Sequence, residues 1–289
     1  MNTFAVLGGD LRFSYLAGAL AEEGFSVITA GFDHTDLPDC VTGCTHAAQA
    51  IRGANFVVLP LPVTTDGTTL NAPFSRNLMP VADLLSGITA DQIVLAGQLP
   101  ASLAQAFADK GVRAFDYFSR EELMVQNAVP TAEGAVQLAL EELPITLWGA
   151  CCLVTGFGRI GKAVCRLLSA MGARVTVAAR RVSDRALAET LGYAAISTQS
   201  LPAAGTFDVI FNTVPAPLLD APVLKTLSPS TLIIDLASRP GGVDFAAAAG
   251  LGLKTIWALS LPGRVAPKSA GSILKDAILN ILKEEGEAV

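Results

Sequence analysis

The sequence predicts an α/β protein of two domains, each a parallel sheet covered by helices, with long helices joining them. Three observations carry this. An alternation of apolar strand-like and helix-like segments runs along the chain twice, from Thr3 to Phe115 and again from Cys151 to Trp257, and such β-α repetition builds parallel sheets. The composition is 51% hydrophobic but only 6% aromatic and 16% charged, the aliphatic mix that strands buried on both faces require. Each half opens on an apolar strand that runs into a glycine turn, at Gly8-Gly9 and at Gly156-Phe157-Gly158. A length of 289 residues suits two domains, expected at 1–129 and 130–289, with the C-terminal helix returning to pack on the first.

In the first half, Thr3–Leu7 reads as a strand, Arg12–Glu23 as a helix stopped by Gly24, and Ser26–Ala30 as the next strand. Asn55–Leu59 is a third strand, closed by the Pro60-Leu61-Pro62 breaker. A helix near Leu78–Leu85 leads to a strand at Gln92–Ala96, a helix over Gln98–Lys110 and a strand at Gly111–Phe115. A connecting helix is expected after Pro130, capped by Thr131, with Glu133 in its first turn, its body over Ala135–Leu143 and its end before Pro144. The second half then reads as strand Cys151–Thr155, helix Arg159–Met171, strand Arg174–Ala178 and helix Ser183–Leu191. Strands follow at Val209–Asn212, Thr231–Asp235 and Lys254–Trp257, and a last helix at Ala270–Glu285.

Charge and cysteine usage exclude several functions. The net charge is −6 and no Lys/Arg-rich run occurs, so nucleic acid is not an expected partner. The opening residues lack a signal-peptide pattern and no run of 18 apolar residues occurs, so a cytoplasmic protein without membrane spans is expected. Cys151, Cys152 and Cys165 read as buried small apolar residues. Cys40, Cys44 and His46, with His34 nearby, fit no zinc spacing, so no metal is expected.

The sharpest motif is Gly156-Phe157-Gly158-Arg159-Ile160-Gly161, a G-x-G-x-x-G between strand and helix. Gly156 permits the tight turn, Gly158 lets backbone approach a pyrophosphate, and Gly161 lets helix and strand pack closely. The helix N-terminus beyond favours the negative charge. This makes the second domain a Rossmann-like dinucleotide domain, and the first half looks like a second version of the same architecture. NAD sites place an acid at the end of the second strand. Here stand Arg180, Arg181 and Ser183, groups suited to a 2′-phosphate, and the expected cofactor is NADP(H). Thr213 and Pro215, in the turn after Asn212, are expected near the nicotinamide ribose.

Three further glycine- or proline-rich segments follow strands and suit a substrate cleft between the domains. They are Gly8-Gly9-Asp10-Leu11-Arg12, the segment Asp235–Asp244 with Ser238 and Arg239, and the segment Leu261–Gly271 with Arg264, Lys268 and Ser269. All three are expected as loops. No Ser-His-Asp set is visible, and neither His34 nor His46 is placed as a general base.

These segments, taken together, resemble the family of dipicolinate synthase A subunits over essentially the whole chain. The resemblance rests on GGDLR at Gly8–Arg12, GFD at Gly31–Asp33, LPLPVTT at Leu59–Thr65, NAVPTAEGAVQLAL at Asn127–Leu140 and GFGRIGKAV at Gly156–Val164. It continues in NTVP at Asn212–Pro215, DLASRPGGVDF at Asp235–Phe245 and LPGRVAPKSAGSIL at Leu261–Leu274. The DLAS…GG segment is also loosely similar to alanine dehydrogenases and transhydrogenases. The resemblance implies an NADP-dependent oxidation of a dihydrodipicolinate-level precursor to dipicolinic acid for endospores. It implies a flavoprotein-like B subunit as partner and a mother-cell cytoplasmic site; a homo-oligomer is compatible with it. A dicarboxylate substrate would meet the cations Arg12, Arg239, Arg264 and Lys268, with Asp10 beside the first turn. Ser238 and Ser269 would orient the ring or a departing hydroxyl, and Asp244 or Lys268 would shuttle a proton. Two other readings stay open: a stand-alone NADP-dependent amino or hydroxy acid dehydrogenase, and a non-catalytic nucleotide-binding regulatory protein.

Overall fold

The computed structural model describes residues 2–289. The chain forms two compact units, one comprising residues up to Asn127 together with Ala266–Val289, the other Ala128–Val265. The first unit contains β1 (Thr3–Leu7), α1 (Leu11–Glu22), β2 (Ser26–Ala30), β3 (Thr42–Cys44), α2 (Ala47–Ile51), β4 (Phe56–Val58), α3 (Val81–Gly87), β5 (Ile93–Ala96), α4 (Ala101–Asp109) and β6 (Arg113–Asp116). The unit boundary falls within α5 (Glu121–Glu142). The second unit continues with β7 (Cys151–Thr155), α6 (Arg159–Ala170), β8 (Arg174–Ala179), α7 (Val182–Thr190), β9 (Ala194–Ser197), β10 (Val209–Asn212), α8 (Ala221–Leu224), β11 (Leu232–Asp235), α9 (Phe245–Gly250), β12 (Lys254–Trp257) and α10 (Leu261–Val265). The final helix, α11 (Pro267–Glu284), belongs to the first unit.

Both sheets are six-stranded, with strand orders β3-β2-β1-β4-β5-β6 and β12-β11-β10-β7-β8-β9, and every strand pair is parallel. This is the α/β class expected from the sequence, with the doubly wound order twice over. In each sheet the order reverses next to the first strand, between β1 and β4 and between β7 and β10, where ligands bind such folds. Side chains divide between the faces with a period of two. Phe4 and Val6 pack with Phe13 and Leu16 of α1 and with Leu274 and Ile278 of α11. Ala5 and Leu7 pack on the opposite face with Ile51, Leu84 and Phe107. In the second sheet Cys152 and Val154 meet Val164 and Leu168 of α6, and Leu153 faces Val223 and Ala248.

Several expectations are corrected. The connecting helix does not start after Pro130 under a Thr131 cap: α5 begins at Glu121 and carries Pro130 inside it. A mid-helix proline costs about 3 kcal/mol, but Leu123, Ala128, Ala132, Ala135 and Ala139 are all buried, and that packing holds both halves helical. The segment Leu261–Gly271 is not a loop. Pro262 and Pro267 each stand in the first turn of a helix, where a missing N–H costs nothing. Gly271 is a packing residue, because a Cβ there would lie 2.7 Å from the Arg12 carbonyl oxygen of α1. The short strands β3 and β9, at the edges of their sheets, have no counterpart in the sequence pattern. Cys152 and Cys165 are buried, and burial pushes both thiols up to about 12, whereas Cys151 is only half-buried.

Among the described residues one buried side-chain polar atom has no partner. The Thr29 hydroxyl on β2 is wholly buried and makes no hydrogen bond. An unpaired buried hydroxyl is a penalty that an isosteric methyl removes. Thr29→Val is therefore expected to raise stability by about 1 kcal/mol, read as a higher urea midpoint; a lower midpoint would show that the hydroxyl is satisfied in solution.

Candidate functional site

At the carboxyl edge of the second sheet one rung carries Ala178, Thr155, Asn212, Asp235 and Trp257 across β8, β7, β10, β11 and β12. Thr155, Asn212 and Asp235 are wholly buried and bonded in series. The Thr155 hydroxyl donates to Asn212 Oδ1 at 2.5 Å, and Asn212 Nδ2 donates to Asp235 Oδ1 at 2.7 Å. Asn212 also binds the backbone of Val214 through both amide atoms. The Asp235 carboxylate accepts from the Ala237 and Gly242 amides at 3.0 and 2.9 Å. A buried charge without such donors would be strongly unfavourable. The network therefore pins the two turns that leave β10 and β11. The sequence singles out these turns but not the three residues beneath them; three polar residues ending three apolar strands were the available signal.

The glycine turn sits beside this rung. Gly156 has φ +86°, a conformation that favours glycine, and a Cβ there would lie 2.5 Å from the Thr213 hydroxyl. At Gly161 a Cβ would fall 2.3 Å from the Gly156 carbonyl oxygen, so α6 can meet the turn only through a glycine. Gly158 differs: it caps α6, is exposed, and has nothing within 4 Å of where a Cβ would stand. Packing does not require that glycine, and an open approach to the N-terminus of the twelve-residue α6 does. Arg159 begins the helix and Ile160 is half-buried. The Thr213 hydroxyl donates to the Thr155 carbonyl at 2.8 Å, and Pro215 is exposed in the same turn. These features fit a nicotinamide dinucleotide.

Arg180, Arg181 and Ser183 are exposed where β8 passes into α7. Among the described residues no hydrogen bond or ion pair engages either arginine side chain. Arg185 instead donates to the Ala179 and Arg180 carbonyls, both at 2.9 Å, and so braces the turn. The nearest acid, Asp184, lies further on, inside the first turn of α7.

The substrate-side candidates fall into different surroundings. Ser238 and Arg239 are exposed after β11, and the guanidinium lies 5.4 Å from the centre of the Trp257 ring. Asp244 is the N-cap of α9 and accepts from the Ala247 amide at 2.9 Å, a helix-starting duty that already engages the carboxylate. Arg264 is exposed in the last turn of α10. Lys268 and Ser269 are exposed in the first turn of α11 and belong to the first unit, not the second. In the first unit's turn, Arg12 is buried and grips its own neighbour: Nε and Nη2 donate to the Asp10 carboxylate at 2.8 Å, and Nη2 also reaches the Leu61 carbonyl. Asp10 caps α1 as well. This turn is closed by its own chain, since the Gly9 amide donates to the Asn71 carbonyl at 2.8 Å and a Cβ on Gly8 would lie 2.9 Å from Ala72.

Two family models match stretches of this chain. Residues 3–118 match the family described as the N-terminal domain of the dipicolinate synthase A subunit. Residues 104–249 match the D-isomer specific 2-hydroxyacid dehydrogenase, NAD binding domain, which takes in the open glycine turn. The dipicolinate synthase A subunit of Bacillus subtilis (strain 168) is 33% identical over 285 residues, covering 97% of this chain and 95% of its own length. The crystal structure of the dipicolinate synthase A subunit from Bacillus halodurans has a TM-score of 0.88 at 29% identity, covering 97% of both chains. That of dipicolinate synthase, A chain, from Bacillus subtilis has a TM-score of 0.85 at 32% identity, covering 98% of this chain and 96% of the other. With a dehydrogenase-type dinucleotide domain in its second unit and relatives along its whole length, this chain belongs to the family of dipicolinate synthase A subunits.

Proposed function

We propose that this chain is the NADP(H)-dependent oxidoreductase component of a dipicolinate synthase, oxidising a dihydrodipicolinate-level dicarboxylate to dipicolinic acid in the mother-cell cytoplasm during sporulation. In this reading it works with a flavoprotein-like B subunit. The observation that carries the oxidoreductase role is the open approach at Gly158, beside a turn in which every other glycine is closed by packing. The two unpaired arginines at the end of β8 support NADP(H) over NAD(H), because they offer charge-assisted hydrogen bonds where an NAD site would place an acid. The family membership supports the substrate class.

Aromatising a dihydropyridine ring removes one hydride and one proton. The bound dinucleotide supplies the hydride acceptor. The chain's own residues hold and orient the dicarboxylate, and the proton passes to water. In the second unit the exposed Arg239 is proposed for a carboxylate, with Ser238 as an orienting hydroxyl; in the first unit the exposed Lys268 and Ser269 offer the same pair of groups. Lys268 stands in the first turn of α11, where the free backbone amides favour an anion alongside its ammonium. Arg12 and Asp10 act as a pair, their charges offsetting each other, and shape the first unit's turn.

The functional test is turnover of the precursor with NADP+, measured with and without the flavoprotein-like partner. Turnover that needs both proteins is expected. Turnover by this chain alone would identify a stand-alone dehydrogenase. NADPH binding with turnover that persists after Lys268→Ala, Ser238→Ala and Arg239→Ala would identify a nucleotide-binding protein without a catalytic part.

Two binding predictions follow from the turn. A hydrogen bond to a charged group is worth about 1.5–3 kcal/mol, so Arg180→Ala with Arg181→Ala is expected to weaken NADPH about tenfold or more and NADH far less. Equal losses in parallel titrations would remove the 2′-phosphate assignment. Gly158→Val is expected to keep the melting temperature and lose NADPH affinity, since its side chain enters open space that the pyrophosphate needs. Gly161→Ala is expected to cost about 1–3 kcal/mol of stability by overpacking. Thermal unfolding and NADPH fluorescence distinguish the two; a Gly158→Val protein with normal affinity would make the turn purely structural.

A further inference from the structure

Gln98 follows β5 at the carboxyl edge of the first unit's sheet and has φ +54°, the left-handed region. Glutamine is not among the residues enriched there. Among the described residues such positions are otherwise filled by glycine, Ser260 apart. A turn that needed only this backbone would be more stable with glycine, so a glutamine held there is an observed strain that points to a role for its side chain.

The surroundings hold the strain in place. The Asp116 carboxylate, at the end of the adjoining β6, accepts from the Gln98 amide at 3.0 Å, the Leu99 amide at 3.1 Å and the Phe118 amide at 2.9 Å. The preceding residue must be glycine: a Cβ on Gly97 would lie 2.6 Å from the Tyr117 hydroxyl and 2.7 Å from Leu61. Tyr117 is itself buried and donates to the Leu59 carbonyl at 2.8 Å. Leu61 also connects this turn to Arg12, whose Nη2 donates to its carbonyl at 3.3 Å. The carboxyl-edge segments after β1, β4 and β5 are thus linked through Leu61, one strand from the β1/β4 point where the strand order reverses. Within this fixed frame the Gln98 side chain is exposed, and among the described residues no hydrogen bond engages its carboxamide.

We propose that Gln98 is a substrate-recognising residue, whose side-chain amide nitrogen donates to a carboxylate oxygen of the dicarboxylate at the carboxyl edge of the first sheet. The assignment rests on the dicarboxylate reading given under the proposed function. Asp116 is its positioning residue: it touches the Gln98 backbone, not the ligand. The first turn of this unit is closed against a dinucleotide by Asn71 and Ala72, which leaves this edge to a smaller ligand.

The test compares Gln98→Glu and Gln98→Gly with the wild type, by calorimetric titration of dipicolinate and by kinetics with the flavoprotein-like partner present. Gln98→Glu keeps the shape and replaces the donor by an anion; it is expected to weaken dipicolinate and raise KM by about a hundredfold, with NADPH affinity unchanged. Gln98→Gly removes the amide and relieves the strain; it is expected to raise KM about tenfold while raising the melting temperature. A turn residue without a ligand would give the same stability gain but no change in KM, and wild-type affinity in both variants would overturn the proposal. If the wild type neither binds dipicolinate nor turns over the precursor, the dicarboxylate reading fails and this assignment falls with it. Wild-type binding with unaffected variants would remove Gln98 alone.

Discussion

The bond from Asn212 to Asp235 is the constraint on which the second unit's site depends. The Asp235 carboxylate is wholly buried, and an unpaired charge in that position would be strongly unfavourable. It is retained because Asn212, Ala237 and Gly242 all donate to it. The consequence is geometric. Asn212 couples Thr155 to Asp235 across three strands, so the turns after β7, β10 and β11 are fixed relative to one another. Gly242 is required by the same contact, since a Cβ there would lie 2.4 Å from Asn212 Nδ2. The glycine turn gains its shape from this frame, through Thr213 pressed against Gly156 and Gly161.

The chain uses one architecture twice and finishes it differently. Both sheets have the same strand order relative to their first strand, and both first strands end in a glycine turn. In the first unit the turn is filled: Asn71 accepts from Gly9, and Arg12 is held by Asp10. In the second unit the corresponding helix N-terminus stands open above Gly158. The difference comes from the long segment between β4 and α3, whose residues Leu70–Ala72 cover Gly8 in the first unit. Identical topology therefore yields one helix N-terminus left open and one glycine turn that the chain itself covers.

Much of this is legible in the sequence, for identifiable reasons. Strands at Thr3–Leu7, Cys151–Thr155 and Lys254–Trp257 begin and end where the β-α alternation of the sequence places them. The glycine motif is recognisable by its spacing between strand and helix; packing requires Gly156 and Gly161, and Gly158 leaves the helix N-terminus open. Other features depend on contacts that sequence spacing does not carry. β3 is three residues of largely exposed edge, with no apolar run to mark it. Pro130 reads as a helix start, yet packing on both sides carries the helix through it. Pro267, Lys268 and Gly271 read as a loop, but the proline opens a helix and the glycine meets α1. Asp244 reads as a proton carrier and is a cap. The strain at Gln98 has no sequence signature, because nothing in the order of residues shows that its φ is positive.

The central claim is that the second unit holds NADP(H) by its pyrophosphate at Gly158 and by its 2′-phosphate at Arg180 and Arg181. Competition against bound NADPH tests it most directly, with adenosine 2′,5′-bisphosphate and adenosine 5′-monophosphate as displacing ligands and NADPH fluorescence as the readout. The account predicts that the 2′,5′-bisphosphate displaces NADPH at a concentration at least about tenfold lower, the ratio that one charge-assisted hydrogen bond supplies. Displacement by both at the same concentration would contradict it.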